Sequence, residues 1–373
     1  MNYFDYAASA PIYPEVLEVL SKTLQEDFAN PSAQHILGNN LYLRMEEYRS
    51  SFLKILDAKK NDHFIFTASA TESNNTIIKG LKLRQSDVVL FSRADHPSVT
   101  ASVDSLSVTA KEIPHNNNGT INLEKFFRLL DSNVKLVVVS HVNNQSGIIN
   151  DIGKISKMVR EKTSAHFHVD AVQSFGKIAF TLTNEIDSMS VTSHKIGGPK
   201  GVAGLFLKSK VSMAPLLSGG GQENGFRSGS VPFPLIAGFY EAMKISTNDK
   251  EAVFRASHFN ELMRAELKKE IPEAIFPFSD TSPFIISLIL PGISSDIILR
   301  HLEMRDIYIS STAACSAKKT GFNPSLFATG IEEKHHKNFL RISTGNLTKE
   351  DEVKKLIVGF ASVWKDIKHM RGR

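Results

Sequence analysis

The sequence predicts an α/β protein built on a mostly parallel sheet, with a smaller α+β domain made from the C-terminal third. Three observations carry this. Short β-rich runs alternate with longer stretches of helical period, the pattern of βαβ units. The run Leu136-Val137-Val138-Val139 is continuously apolar, as in strands buried on both faces. From about Phe239 the texture changes, and a long helical pattern precedes an apolar strand. In chain order, strands are expected at His63–Thr67, Val88–Phe91, Lys135–Ser140, His166–Val169, Ser188–Val191 and Val202–Leu207, with helical stretches such as Ile152–Lys162 between several of them. After the change come a helix over Glu251–Leu267, a strand over Phe284–Leu290, a helix over Ser295–Glu303, the segment around Cys315, and a terminal helix over Glu350–Lys365. The expected division is a large domain, 13–245, and a small one, 1–12 with 246–373, carrying the cysteine loop. No internal repeat or low-complexity segment interrupts it.

The bulk numbers narrow the function classes. At 373 residues the chain has room for about two domains. Its 42% hydrophobic and 22% charged content is that of a soluble globular protein. The net charge of +5 is spread among interleaved acids, as in Glu332-Glu333-Lys334, and the one basic run is the tail from Lys365 to Arg373. A solvated surface is therefore expected rather than a nucleic-acid site. With one cysteine, Cys315, no intrachain disulfide is possible, which fits a reducing compartment. The N-terminus shows no basic region followed by an apolar stretch. The most apolar short segment, Phe284–Leu290, is far below the roughly 20 residues a bilayer span needs. These features predict a cytoplasmic protein that binds neither membrane nor nucleic acid.

The chemistry centres on Lys195. It follows the run Ser188-Met189-Ser190-Val191 within Thr192-Ser193-His194-Lys195, and Asp170 precedes it by 195 − 170 = 25 residues, at the end of another apolar strand. A pyridoxal phosphate (PLP) site needs this pair: the lysine amine forms a Schiff base with the cofactor aldehyde, and the aspartate keeps the pyridine nitrogen protonated so that the ring acts as an electron sink. Alone, Lys195 would be a surface lysine. Phe66 to Asn75 is small and polar and opens a helix, so it is either a phosphate cradle or a plain cap through Thr71 or Ser73. His96, after Val88–Phe91, could stack on an aromatic ring or move protons, or be merely solvated. Asn143-Asn144 could bind a ligand or simply make a turn. The loop Gly219–Ser230 is glycine-rich and carries Arg227, without the context of a P-loop or dinucleotide site. Cys315, in Ser310-Ser311-Thr312-Ala313-Ala314-Cys315, is expected on an exposed loop where a thiolate could act as nucleophile. Arg341 lies on a strand-like alternation and would clamp a carboxylate or make a surface ion pair.

Together and in this order, these segments resemble the cysteine desulfurases, the NifS-like branch of the class V aminotransferase family, from Tyr3 to about Glu352. The resemblance implies a fold-type I PLP enzyme with a seven-stranded, mostly parallel sheet, acting as a homodimer that converts L-cysteine to L-alanine and leaves sulfur as a persulfide on Cys315. A sulfur-acceptor protein and a role in iron–sulfur cluster assembly come with it. By the same resemblance Lys195 is the Schiff-base lysine and Asp170 the partner of the pyridine nitrogen. Gln173 and Asn144 contact the ring hydroxyl, and His96 stacks on the ring and assists protonation. Ala70, Thr71, Thr192 and His194 hold the phosphate, with Ser230 reaching across a dimer interface to the neighbour's phosphate. Arg341, Asn144 and Asn30 bind substrate. The chain departs from the family's usual residues at Tyr6, Ser69, Thr192 and Ser230, and its Ser311-Thr312-Ala313-Ala314-Cys315 lacks the usual glycine. The alternatives are a selenocysteine lyase or another class V enzyme of this fold, a silent fold kept for partner binding, and a basic nucleic-acid binder.

Overall fold

The computed structural model describes residues 1–180, 182–311 and 322–368; Cys315 therefore lies outside the described residues. The chain runs β1 (Asn2–Tyr3), α1 (Pro14–Glu26), α2 (Ile36–Ile55), β2 (His63–Thr67), α3 (Ala70–Gly80), β3 (Val88–Phe91), α4 (Pro97–Asp104), β4 (Thr109–Glu112), α5 (Leu123–Leu129), β5 (Val134–Ser140), α6 (Ile152–Lys162), β6 (His166–Asp170), β7 (Ser188–Thr192) and β8 (Ala203–Leu207). It continues through α7 (Phe233–Asn248), α8 (Ala252–Glu270), β9 (Ile285–Ile289), α9 (Ser295–Glu303), β10 (Ile307–Tyr308), β11 (Ser310–Ser311), α10 (Pro324–Ala328), β12 (Phe339–Ser343) and α11 (Glu350–Ile367).

Seven strands form one sheet in the order β2-β8-β7-β6-β5-β3-β4. All neighbours pair in parallel except β8, which is antiparallel to both β2 and β7. The apolar run in β5 shows why such a strand needs no polar face. Successive side chains point to opposite sides, so Val137 and Val139 enter one core while Leu136 and Val138 enter the other. Helices cover both faces, as a parallel sheet requires.

The C-terminal region is built differently. Strands β11, β12 and β9 form an antiparallel sheet, and α8, α9 and α11 pack on it around Met263, Leu288, Leu302, Leu340 and Trp364. The first residues of the chain join this layer. Asn2 and Tyr3 pair with Ile307 and Tyr308, Phe4 enters the same core, and Asp5 bridges to Ser343. The change of texture at Phe239 falls inside α7, which packs into the large core through Ile236, Phe239 and Met243.

Candidate active site

Strands β2, β3, β5, β6 and β7 all run the same way, so the segments after them meet at one edge of the sheet, where α/β proteins bind ligands. Asp170 ends β6. A single 3₁₀ turn, Ser193–Lys195, follows β7. His96 follows β3 and caps α4, and the turn His141–Gly147 follows β5. Glycine is required just beyond Lys195: Gly197 has φ +81°, and a Cβ there would lie 2.3 Å from the Tyr13 ring. In the turn after β5, Asn143 Oδ1 accepts from the backbone N–H groups of Gln145 and Ser146, both at 2.9 Å. Asn143 thus makes the turn, and the Asn144 side chain has no hydrogen-bond partner among the described residues.

Among the described residues the Lys195 amine makes no ion pair with an acid. Its Nζ donates to the carbonyls of Ala7 at 2.5 Å and Ala8 at 2.7 Å. Burial, with the nearby Lys177 and Arg341 cations, lowers it to a pKa of about 7, against the smaller opposing pull of Asp5 and Asp170. Gln173 Nε2 donates to the same Ala7 carbonyl at 2.9 Å, leaving its buried Oε1 without a partner. The Asp170 carboxylate accepts from Val172 N at 3.0 Å and from Asn74 Nδ2 at 2.9 Å. His96 is buried enough that its pKa falls; Asp170 opposes this and Lys195 adds to it. His194 falls to about 4, through burial and then the Lys195, Lys200 and Lys177 cations, and its Nδ1 lies 3.3 Å from Ser9 Oγ. Both imidazoles are neutral at pH 7.

Arg341 is not on the surface. It is 8% exposed. Nη2 donates to Asp5 Oδ1 at 2.7 Å, Nη1 donates to the Asn144 carbonyl at 2.7 Å, and the buried Nε has no partner. A donor left over on a buried guanidinium is what a carboxylate ligand would meet.

The start of α3 corrects one expectation. The cap is Ser69, neither Thr71 nor Ser73: its hydroxyl accepts from Glu72 N at 3.2 Å, and Glu72 Oε2 accepts from Ala68 N at 2.9 Å. Ser69 thus caps α3, and Glu72 ties the helix back to the residue before the cap. The Ser73 hydroxyl instead meets Thr67 Oγ1 at 2.8 Å. Ala70 and Thr71 remain in the first turn, where helix N–H groups point outward and attract anions. Arg227 holds Glu72 through a bond of 2.9 Å from Nε to Oε1, fastening the Gly219–Ser230 loop to this turn. Thr192 is buried at the end of β7. Ser230 and Asn30 are exposed, and neither contacts the Lys195 group among the described residues. Asn30 Oδ1 instead accepts from Ser32 N at 2.9 Å.

Two residues that sequence reading passed over belong to this group. Asp5 pairs with Arg341, and Lys177 lies buried beside Lys195 with no acid partner among the described residues, lowered to about 8 by burial and then by Arg341. A buried arginine announces that it needs an acid. Nothing in the chain says which of 39 acids supplies it. Among the described residues no group of three or more His, Cys, Asp or Glu side chains is placed to hold a metal ion.

Known proteins share both sequence and fold with this chain. The family model described as Aminotransferase class-V matches residues 2–356. A protein named cysteine desulfurase IscS, from Rickettsia typhi, is 33% identical over 366 residues, covering 94% of this chain and 88% of its own. A solved structure titled NifS-like protein superposes with a TM-score of 0.90 at 28% identity, over 98% of this chain and 99% of that one. Another, titled SspA in complex with cysteine, superposes with a TM-score of 0.80 at 29% identity, over 92% and 99%.

Proposed function

The chain belongs to the aminotransferase class-V family, and from that membership we propose that it is a PLP-dependent cysteine desulfurase, turning L-cysteine into L-alanine and keeping the sulfur on Cys315. The observation that carries this is the Lys195 amine, free of any acid and near neutral pKa, beside an aspartate at the edge of the sheet. The related protein named cysteine desulfurase and the solved relative titled as a cysteine complex support the substrate.

The residues fit the cofactor. Lys195 has a nucleophilic amine, Asp170 an acceptor for a ring N–H, and Gln173 Oε1 a buried acceptor without a donor. The first turn of α3, with Thr71, Thr192 and His194, supplies donors for a phosphate. When bound, PLP supplies an electron sink for negative charge developing on the substrate. The chain's own residues do the rest. Asp170 holds the ring nitrogen protonated, and Gln173 and Asn144 take the ring hydroxyl. His96 covers the ring and assists protonation. Arg341, already oriented by Asp5, takes the substrate carboxylate, with Asn144 beside it, and the exposed Asn30 would join it only once substrate is bound. Lys195 Nζ removes the Cα proton. The Cys315 thiolate then attacks the substrate sulfur. The substrate C–S bond breaks, an S–S bond forms on Cys315, Cβ takes a proton, and Lys195 returns the proton to Cα to give alanine.

A homodimer is part of this reading. Helices α1 and α2 and the turn between them expose Leu24, Phe28, Ile36, Leu37 and Leu43, an apolar face suited to a second copy. The exposed Ser230 would cross it to the neighbour's phosphate. The division into 13–245 and 1–12 with 246–373, the cytoplasmic location, iron–sulfur cluster assembly and a sulfur-acceptor protein belong to the same proposal. No helix among the described residues is long and apolar enough to cross a membrane.

The test is direct. Purified protein loaded with PLP should absorb in the visible, and borohydride should join the cofactor to the peptide containing Lys195. Added L-cysteine should yield alanine, with sulfide appearing when a reductant is present. Absence of the adduct, or alanine formed only from selenocysteine, would overturn the reading in favour of another enzyme of this fold.

A further inference from the structure

Beneath Asp170 lies a line of buried polar side chains whose proton positions can be worked out. Asn74, on α3, is fully buried and all its amide hydrogen-bonding groups are engaged. Nδ2 lies 2.9 Å from Asp170 Oδ2 and 2.9 Å from Ser98 Oγ, and Oδ1 lies 3.0 Å from His168 Nε2. His168 Nδ1 is 2.7 Å from Ser188 Oγ, which is 2.6 Å from His166 Nε2.

An ionised carboxylate only accepts, so Asn74 must turn its NH₂ toward Asp170. The Asn74 oxygen then faces His168, which must carry its proton on Nε2. That proton is shared with Ser190 Oγ at 3.3 Å. Neutral His168 accepts at Nδ1 from the Ser188 hydroxyl. Ser188 has no second proton, so its oxygen accepts from His166 Nε2–H. Burial keeps both rings neutral, lowering His168 to about 3 and His166 to about 4. Every donor in the line points toward Asp170, an arrangement in which each bond polarises the next. The other Asn74 proton goes to Ser98 Oγ. The Ser98 hydroxyl and backbone N–H then both point at His96 Nδ1, at 2.9 and 3.1 Å, leaving the His96 proton on Nε2.

We infer that Asn74 is the positioning residue of this site: one amide orients the Asp170 carboxylate and turns the Ser98 hydroxyl toward His96 Nδ1, which the Ser98 backbone N–H fixes as an acceptor, while the His168–Ser188–His166 line holds that amide from behind. The inference rests on the proposed roles of Asp170 and His96 toward the cofactor. Losing Asn74 would leave the Asp170 carboxylate, the His168 imidazole and the Ser98 hydroxyl each short of a partner where water is scarce.

The experiment uses ¹⁵N-histidine NMR on the cofactor-free protein, with His96 and His168 assigned by glutamine variants, and a PLP titration of the same protein. In the wild type, both rings should be neutral with the proton on Nε2 between about pH 6 and 8. Asn74→Ala should give His168 mixed tautomers, leave His96 on Nε2 through the Ser98 backbone N–H, and raise the Kd for PLP about tenfold or more. Ser98→Ala keeps that backbone N–H and removes only an acceptor of Asn74 Nδ2, so it should leave both tautomers unchanged and weaken PLP binding by a smaller factor, which decides the matter should Asn74→Ala not fold. A wild-type proton on Nδ1 of either ring, a shifted His96 tautomer in Ser98→Ala, or unchanged PLP affinity in Ser98→Ala or in a folded Asn74→Ala would overturn the inference. Wild type that takes up no PLP counts against the desulfurase reading, whereas the tautomers judge the Asn74 network without cofactor.

Discussion

Lys195 shows what burial does to one amine. Its pKa is about 7 in the folded chain and 10.5 ordinarily. Between those values the unfolded chain carries a proton that the folded chain lacks, so stability rises with pH across that window; below about 7 both states are protonated and the full cost of burying the charge is felt. In cofactor-free protein, unfolding free energy should climb between about pH 7.5 and 9.5, and Lys195→Met should remove about 1 kcal/mol per pH unit of that slope. Lys177, at about 8, supplies a similar slope of its own that the variant retains. At neutral pH the same shift leaves much of the Lys195 amine uncharged and nucleophilic. Cys315 separates sulfur transfer from other chemistry at this site. As the chain's only thiol, it is the only place a protein-bound persulfide can form. Cys315→Ser should bind PLP with wild-type affinity and make alanine from L-cysteine at least about a hundredfold more slowly, the scale on which loss of an activated nucleophile is felt. Alanine formation at the wild-type rate would make Cys315 a bystander.

Elements were legible where burial is two-sided or strictly periodic. His63–Thr67, Val88–Phe91, Ile152–Lys162 and Ser295–Glu303 appear at the residues the pattern gives, and the other expected strands shift by one residue at one end or, for Phe284–Leu290, at both. β4 carries no such signal. Thr109–Glu112 is exposed along its whole length at the edge of the sheet, so nothing selects apolar residues there. The site was legible in part for the same reason. Strand ends announce Asp170 and Lys195, whereas Asp5 and Lys177 join them through tertiary packing alone. The cap of α3 was misplaced because Ser69, Thr71 and Ser73 are equally good caps by type, and only backbone direction chooses among them. Ser69→Ala should cost about 1 kcal/mol in chemical denaturation and weaken PLP binding, since the first turn it secures is the proposed phosphate site. Wild-type stability would show that the bond from Ala68 N to Glu72 suffices to hold the helix start.

Over the whole molecule, the exposed apolar face of α1 and α2 predicts association. Sedimentation of wild type should give a dimer at micromolar concentration, and Leu37→Glu with Leu43→Glu should yield monomers, because charges at the centre of such a face leave it without partners. The monomer should bind PLP more weakly if Ser230 serves the neighbouring phosphate. A wild-type monomer that turns over cysteine would remove the shared site. Finally, Lys195 rests on carbonyls of residues 7 and 8, and Asp5 meets Arg341 across 336 positions of sequence. On the ribosome, the stretch that lines this pocket emerges hundreds of residues before its partners and must wait for them. The large sheet can form while synthesis continues, because all its strands lie between His63 and Leu207. The pocket cannot close until residue 343 has left the exit tunnel. A nascent chain stalled shortly before that point should therefore fold its sheet but hold no PLP.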